Sequence, residues 1–299
     1  MTTAPLLTGG PGSFERQIGD HDFARFQALV HREIGIYLGE TKRCLLVGRL
    51  SRRLRDLGLG SFAEYYAQVE SDPEERIRMF DAISTNETRF FREPAHFQLL
   101  KEQILPRWRS EADEGRRPRS LRVWSAASST GEEAYSLAMT LLRSFPAGAG
   151  WEIEILGTDI STRVLDVARQ AIWPLERSRE IPEADLKSFM LRGFGPEEGM
   201  MKAGPEIRSL VHFHRLNLMD DVYPGIGEID LLFCRNVLIY FDAPTKEAVV
   251  SRLLRHLAPS GYLFLGHAES LSSMAVPVRS VVATVYAKSG SGTAARSRT

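Results

Sequence analysis

From residue 121 onward the chain alternates short apolar runs with amphipathic helical stretches, and that alternation restricts the fold more than any other feature. Leu121-Arg122-Val123-Trp124 leads into a helix from Glu132 to about Leu142. Ile153-Glu154-Ile155-Leu156 ends at Gly157-Thr158-Asp159, ahead of a helix carrying Val164, Leu165 and Ala168. Ile229 to Cys234 is a third apolar strand, followed by a helix from Pro244 to Leu257. The turn Pro259-Ser260-Gly261 then returns the chain to Tyr262-Leu263-Phe264-Leu265. Strands and helices in this order pack as an α/β fold with a mostly parallel, doubly wound sheet. The stretch of about 178–215 breaks the rhythm with glycines and a Val211-His212-Phe213 strand, which predicts a small inserted β subdomain.

Upstream the pattern is helical. Phe23, Phe26, Leu29 and Val30 recur at helix spacing, as do Leu46, Leu50, Leu54 and Leu57. Ser71-Asp72-Pro73-Glu74-Glu75 reads as a helix start, with a cap, a first-turn proline and acids on the positive end of the dipole. Residues 20–106 are therefore expected to form an all-helical N-terminal domain. The charged stretch 107–120, with Gly115 and Pro118, reads as a linker to an α/β domain of 121–288, and 1–19 and 289–299 read as flexible ends.

A chain of 299 residues has room for two such cores, and 43% hydrophobic with 25% charged residues suits a water-soluble protein. Zero net charge gives no whole-molecule field for nucleic acid or membrane, so charge-driven recognition would need a local patch. No apolar run nears the roughly 18 residues of a membrane span, and the start lacks a signal peptide's layout. Two distant cysteines, Cys44 and Cys234, read as reduced thiols in a cytoplasmic protein.

In sheets of this type ligands bind at the carboxyl ends of the strands. The first end reads Ser125-Ala126-Ala127-Ser128-Ser129-Thr130-Gly131-Glu132-Glu133. Its small residues let backbone approach a ligand, yet the dinucleotide pattern GxGxxG is absent and two acids open the helix. A pyrophosphate would be repelled there. S-adenosylmethionine, which carries an ammonium, a sulfonium and no phosphate, would be welcome. Asp159 ends the second strand, where a carboxylate can accept from ribose hydroxyls.

Five segments then carry a resemblance. Thr85-Asn86-Glu87-Thr88-Arg89-Phe90-Phe91-Arg92-Glu93, the stretch from Trp124 through Gly131-Glu132-Glu133-Ala134-Tyr135-Ser136, and Gly157-Thr158-Asp159-Ile160 are three of them. Phe233-Cys234-Arg235-Asn236-Val237-Leu238-Ile239-Tyr240-Phe241-Asp242 and Gly266-His267-Ala268-Glu269 are the others. In this order, over about residues 20–288, they resemble the chemotaxis receptor methyltransferases, the CheR family. Ala134 stands where proline is usual and Ala268 where serine is usual; neither changes an ionisable group. The resemblance implies a Rossmann-like methyltransferase sheet using S-adenosylmethionine and transferring its methyl to receptor glutamates. It also implies that Asn86, Thr88 and Arg92 reach over the cofactor, and that Glu133 and Asp159 hold it. Asn217 and Leu218 would flank the adenine, Arg235 and Asn236 would close the site, and Tyr240 would stand near the transferred methyl.

A glutamate side chain with a pKa near 4.3 is already ionised at neutral pH, so the reaction needs no general base. What it needs is a holder for the carboxylate, and Arg92 and Tyr240 are the candidates. Lys42, Arg49, Arg52 and Arg53 fall on one side of a helix and would offer a landing face to an acidic helical substrate, the cytoplasmic domain of a receptor. Leu191-Arg192-Gly193-Phe194-Gly195-Pro196-Glu197-Glu198-Gly199 resembles the loop of family members that grip a peptide at a receptor's C-terminus. Cys234 lacks a neighbouring base and reads as core; His212 and His214 lack a third ligand, so no metal is expected. A non-catalytic, cofactor-sensing adaptor of the same fold is the alternative. Nucleic-acid methylation is disfavoured because Arg235-Asn236-Val237-Leu238 occupies the place of an Asn/Asp-Pro-Pro-aromatic motif.

Overall fold

The structure, a computed structural model, describes residues 17–289, so the ends expected to be flexible lie almost wholly outside the described residues. The chain divides into two compact units, one reaching His31 and resuming over Leu38–Ile83, the other comprising Arg32–Tyr37 and everything from Ser84.

The helical unit is built on α1 (Asp20–Ile34, entering the second unit after His31), α2 (Arg43–Asp56), α3 (Phe62–Ser71) and α4 (Pro73–Ile83). Leu46, Leu50 and Leu54, four residues apart on α2, are all fully buried. Phe26 of α1 meets Phe62, Tyr65 and Tyr66 of α3 at centroid distances of 6.4, 6.1 and 5.1 Å. The expected start of α4 is present: Asp72 Oδ1 accepts the backbone N–H groups of Glu74 and Glu75 at 2.9 and 3.2 Å. Glu75 does more than face the dipole. Only 1% of its side chain is exposed, between Arg53 and the Tyr65 hydroxyl.

The second unit opens with α5 (Pro94–Leu99), a π-helical turn over Leu100–Ile104, and α6 (Leu105–Asp113). The wide turn, closed by the Leu105 N–H on the Leu100 carbonyl, precedes Pro106, which has no N–H for an ordinary helical bond. Much of the expected linker 107–120 is thus helix. Arg107, Arg109 and Asp113 lie outward, while Leu105, Trp108 and Ala112 turn one face into the core and the largely buried Arg117 covers the Trp108 ring at 4.0 Å.

The sheet holds β1 (Ser120–Ala126), β2 (Glu152–Asp159), β6 (Val211–Arg215), β7 (Ile229–Cys234), β8 (Leu257–Leu265), β9 (Val278–Val282) and β10 (Val285–Lys288). Their order is β6-β2-β1-β7-β8-β10-β9, parallel except where β10 pairs with β8 and β9. Pro259-Ser260-Gly261 sits inside β8, where the register jumps between Ile229–Leu257 and Leu231–Tyr262. Side chains alternate: Val123, Leu231, Phe233 and Phe264 join one buried cluster, Trp124, Leu232, Cys234 and Leu263 the other. Helices α7 (Glu132–Ser144), α8 (Thr162–Gln170), α9 (Glu183–Phe189), α10 (Pro205–Arg208) and α11 (Ala243–His256) complete the unit.

A separate three-stranded antiparallel sheet, β3 (Ile172–Pro174), β5 (Met200–Ala203) and β4 (Met190–Arg192), is the inserted subdomain. It begins earlier than expected, at Ile172, and excludes the Val211 strand. That strand is β6, paired with β2 at the edge of the main sheet.

Candidate functional site

Strand order reverses between β1 and β7, the position at which open α/β sheets present a crevice. A cleft opens there, within the second unit, lined by the 84–92 segment, the turn after β1 and the segment after β7.

The turn after β1 is tightly folded. Ala127, Ser129 and Gly131 have φ of 62°, 50° and 94°, and an added Cβ on Gly131 would lie 3.0 Å from that of Ala168. Ser129 N–H donates to Asp159 Oδ2 and Ser161 N–H to Asp159 Oδ1, both at 2.9 Å. Asp159 is thereby fixed at the end of β2, 7% exposed and lining the cleft. Ser129 Oγ donates to the Asn86 carbonyl at 2.9 Å, tying the turn to the 84–93 segment that forms the opposite wall.

After β7, Arg235 is almost entirely buried, its side chain 1% exposed. Its guanidinium lies 3.1 Å from Glu93 and 3.2 Å from Glu133, and also donates to the Arg92 carbonyl. One cation therefore serves two carboxylates. Burial alone would raise Glu93; the Arg235 charge and the His267 N–H at 3.1 Å bring it below the usual carboxylate range. At Glu133 burial wins and the carboxyl is raised, despite Arg235 and the Ser125 hydroxyl at 2.7 Å. Burial and Arg235 likewise push neighbouring His96 down to about 4.

Asn236 follows with φ of 59°. Its N–H donates to Glu269 Oε2 at 2.8 Å, and the same side chain accepts from the N–H groups of Gly266 and Ile239 at 2.7 and 3.3 Å. A Cβ on Gly266 would stand 2.4 Å from Asn236 Nδ2, so this approach requires glycine. Glu269 thus fixes the loop that brings Tyr240 to the cleft. Tyr240 is held through its main chain, which accepts from Tyr37 N–H at 2.9 Å; its hydroxyl has no hydrogen bond among the described residues.

Asn86, Thr88, Arg92, Glu133, Asp159, Asn217, Leu218, Arg235, Asn236 and Tyr240, the residues the resemblance implied, all line the cleft. Their situations differ. Asn217 is occupied at both ends of its amide, donating to the Glu33 carbonyl at 2.6 Å and accepting from Met219 N–H at 3.0 Å. Arg235 is spent on Glu93 and Glu133. By contrast, the buried Nδ2 of Asn86 and Oγ of Ser128 have no hydrogen-bond partner among the described residues. Two orphaned polar atoms beside two acids and the aliphatic Ile36, Leu218 and Val237 fit a ligand with a cation, hydroxyls and a flat apolar part. S-adenosylmethionine has these features. Sequence reasoning assigned no role to Glu93, Ser128 or Glu269; all three lie in quoted motifs, but their burial could not be read there.

The proposed docking cations belong to the helical unit, and the structure narrows them. Lys42 and Arg52 are exposed. Arg49 donates to the Ile83 carbonyl, and Arg53 grips Glu75 at 2.6 and 2.9 Å with 23% of its side chain exposed. Helical geometry places all four on one side, but two face partners of their own unit. Cys234 is fully buried, and burial pushes its thiol well up, consistent with a core role.

Comparison with known proteins agrees with this geometry. Residues 86–287 match the family model described as CheR methyltransferase, SAM binding domain, and residues 21–84 match CheR methyltransferase, all-alpha domain. The chain is 43% identical over 284 residues to chemotaxis protein methyltransferase 2 of Pseudomonas aeruginosa, covering 94% of this chain and 99% of that one. It is 38% identical to the chemotaxis protein methyltransferase of Salmonella typhimurium, over 91% of both chains. The boundary between the matched domains falls at the junction of the two units, near residue 84, rather than at 107–120.

Proposed function

The chain belongs to the CheR methyltransferase family, with that family's helical and S-adenosylmethionine-binding domains, and from this premise we propose that it esterifies glutamate side chains on chemotaxis receptors. The observation that carries the reading is the composition of one cleft. Arg92 and Tyr240, both able to hold a carboxylate, line it together with the acids Glu133 and Asp159. The name shared by its relatives, chemotaxis protein methyltransferase, points the same way.

S-adenosylmethionine supplies an activated methyl on a sulfonium. Glu133 is suited to its ammonium, Asp159 to the ribose hydroxyls, and Asn86 Nδ2 and Ser128 Oγ offer donors or acceptors that the protein itself does not use. Asn217 serves by fixing the Met219 turn and Glu33, leaving the adenine to the apolar contact of Leu218. The substrate carboxylate arrives ionised, so no residue must remove a proton. Arg92, with one hydrogen bond to the Glu87 carbonyl at 3.0 Å, keeps further donors for that carboxylate, and the Tyr240 hydroxyl adds another. Orientation is the main contribution, since well-aligned groups reach effective molarities of about 10⁵ M or more.

The receptor's cytoplasmic helical domain is the proposed substrate, with Lys42 and Arg52 as the exposed part of its landing face. No helix among the described residues is long and apolar enough to cross a membrane, and the cytoplasm is the proposed compartment. The test is incubation with labelled S-adenosylmethionine and isolated receptor cytoplasmic domains, followed by mass spectrometry and base treatment. Label on glutamate, released by base as methanol, is expected. Base-stable label, or label on another residue type, would overturn the ester assignment.

A further inference from the structure

A single guanidinium spans two walls of the cleft from outside it. Arg177 lies on the 3₁₀ turn Leu175–Glu180 that follows β3, so it belongs to the small inserted sheet rather than to the methyltransferase core. Its Nη1 pairs with Glu132 Oε1 and also donates to the Thr88 carbonyl at 3.4 Å. Glu132 is the first residue of α7, its side chain is 0% exposed, and its other oxygen accepts from the Thr130 hydroxyl at 2.6 Å. Among the described residues Arg177 is the cation paired with it.

Resting on the reading that S-adenosylmethionine lies between the 84–93 segment and the turn after β1, we propose that Arg177 is a positioning residue for the cofactor. It clamps the Thr88 backbone to the start of α7, and so sets where Asn86 and Thr88 meet the ligand. Three neighbouring contacts define what is special about it. Phe90 packs edge-on against Trp173 at 5.1 Å, and Trp173 Nε1 donates to the Thr130 carbonyl at 3.1 Å; both hold the segment in place but reach no charge. Arg89 pairs with Glu180 at 2.8 Å, but 59% and 38% of the two side chains are exposed, so solvent screens the pair. Arg177 joins a buried carboxylate to the Thr88 carbonyl at the near end of the ligand-facing segment, as Arg235 joins Glu93 and Glu133 to the Arg92 carbonyl at its far end. Its two tasks are separable: neutralising Glu132, and holding Thr88.

That separation gives the test. Arg177→Met should weaken binding of the demethylated product, S-adenosylhomocysteine, by about tenfold or more in calorimetry, the scale of losing a charge-assisted hydrogen bond. It should also lower the Tm, because Glu132 is left as an uncompensated buried charge. Adding Glu132→Gln removes that charge. The proposal requires the double variant to recover its Tm while product affinity stays low, and Arg177→Lys to restore affinity in part. Recovery of affinity together with the Tm would show that Arg177 only neutralises Glu132, and would overturn the positioning role. So would product binding by Arg177→Met at the native level. Asn86→Ala is the control on the site: if it leaves affinity unchanged, the cofactor does not lie against this segment, and the site reading falls together with the role built on it.

Discussion

Arg235 reaches Glu133 at 3.2 Å and yet leaves its carboxyl raised, because burial costs the ionised form more than the Arg235 charge returns and the neighbouring Glu93 charge adds to that cost. Holding the ligand's ammonium requires the ionised carboxylate. Protonation of Glu133 therefore begins at a higher pH than for an ordinary glutamate, and the protonated form holds the ligand less well. Affinity for S-adenosylhomocysteine should fall as pH is lowered toward and through the raised pKa, and rise to a plateau above it. In Glu133→Gln affinity should be low and flat over that range. A native pH profile persisting in this variant would assign the titration to another group.

Asp159→Ala should lower affinity for the product by about tenfold or more, since a hydrogen bond to a charged group contributes about 1.5–3 kcal/mol. The variant also frees the N–H groups of Ser129 and Ser161, so its thermal stability should drop. Asp159→Asn retains an acceptor and should lose less on both counts. Native affinity in a folded Asp159→Ala protein would move the ribose elsewhere.

Tyr240→Phe removes a hydroxyl that no described residue engages, so stability should be unaffected. If that hydroxyl holds the reacting carboxylate, kcat falls while product affinity stays constant. The reverse pattern, steady turnover with weakened binding, would make Tyr240 a cofactor contact.

The four basic residues of the helical unit should separate into two pairs. Lys42→Glu with Arg52→Glu should raise the KM for receptor, more strongly at low salt, where screening over about 10 Å is relaxed. Arg53→Ala should instead cost about 1.5–3 kcal/mol of stability, the scale of a hydrogen bond to a charged group, because Glu75, a carboxylate 1% exposed, then keeps only Arg78 at 3.4 Å and the Tyr65 hydroxyl. A receptor KM that ignores both exposed-charge reversals would leave this face without a docking role.

How much of this was readable in the chain depended on the kind of signal. The strands came through because alternation of Val123 with Trp124, or Leu232 with Phe233, follows the backbone's own period. Asp159 and the turn after β1 came through because they stand at strand ends; Asn86, Thr88, Arg92, Arg235 and Tyr240 came only from the resemblance of their motifs. What stayed hidden was decided by distant partners. Trp108 is buried by Tyr262 and Arg117, against the charge of its own neighbourhood. Arg53 is turned inward by Glu75, 22 residues along. The Val211 strand joined the main sheet because β2 offered an edge, which its glycine-rich surroundings did not reveal.

The hairpin of β4 and β5 carries the two most exposed apolar side chains of its region, Leu191 at 54% and Phe194 at 79%. β4 is also an outer strand of the small sheet, paired on one side to β5. An unpaired strand edge can take an extended peptide as a further strand, with apolar side chains gripping alternate residues. We expect this hairpin to bind a receptor's C-terminal tail, tethering the enzyme and raising its effective concentration at the methylation sites. Its turn is sterically demanding: a Cβ on Gly193 would fall 2.0 Å from the Glu197 carbonyl oxygen, and Gly195 and Gly199 have φ of 59° and 82°. Deleting Gly193–Gly199 therefore removes a defined structure, and Leu191→Ser with Phe194→Ser is the milder version that keeps the turn. Both should slow methylation of a full-length receptor and leave a tail-less receptor unaffected, because only the first can be tethered. Equal slowing of both substrates, or of neither, would assign the hairpin to covering the sheet and remove it from receptor recognition.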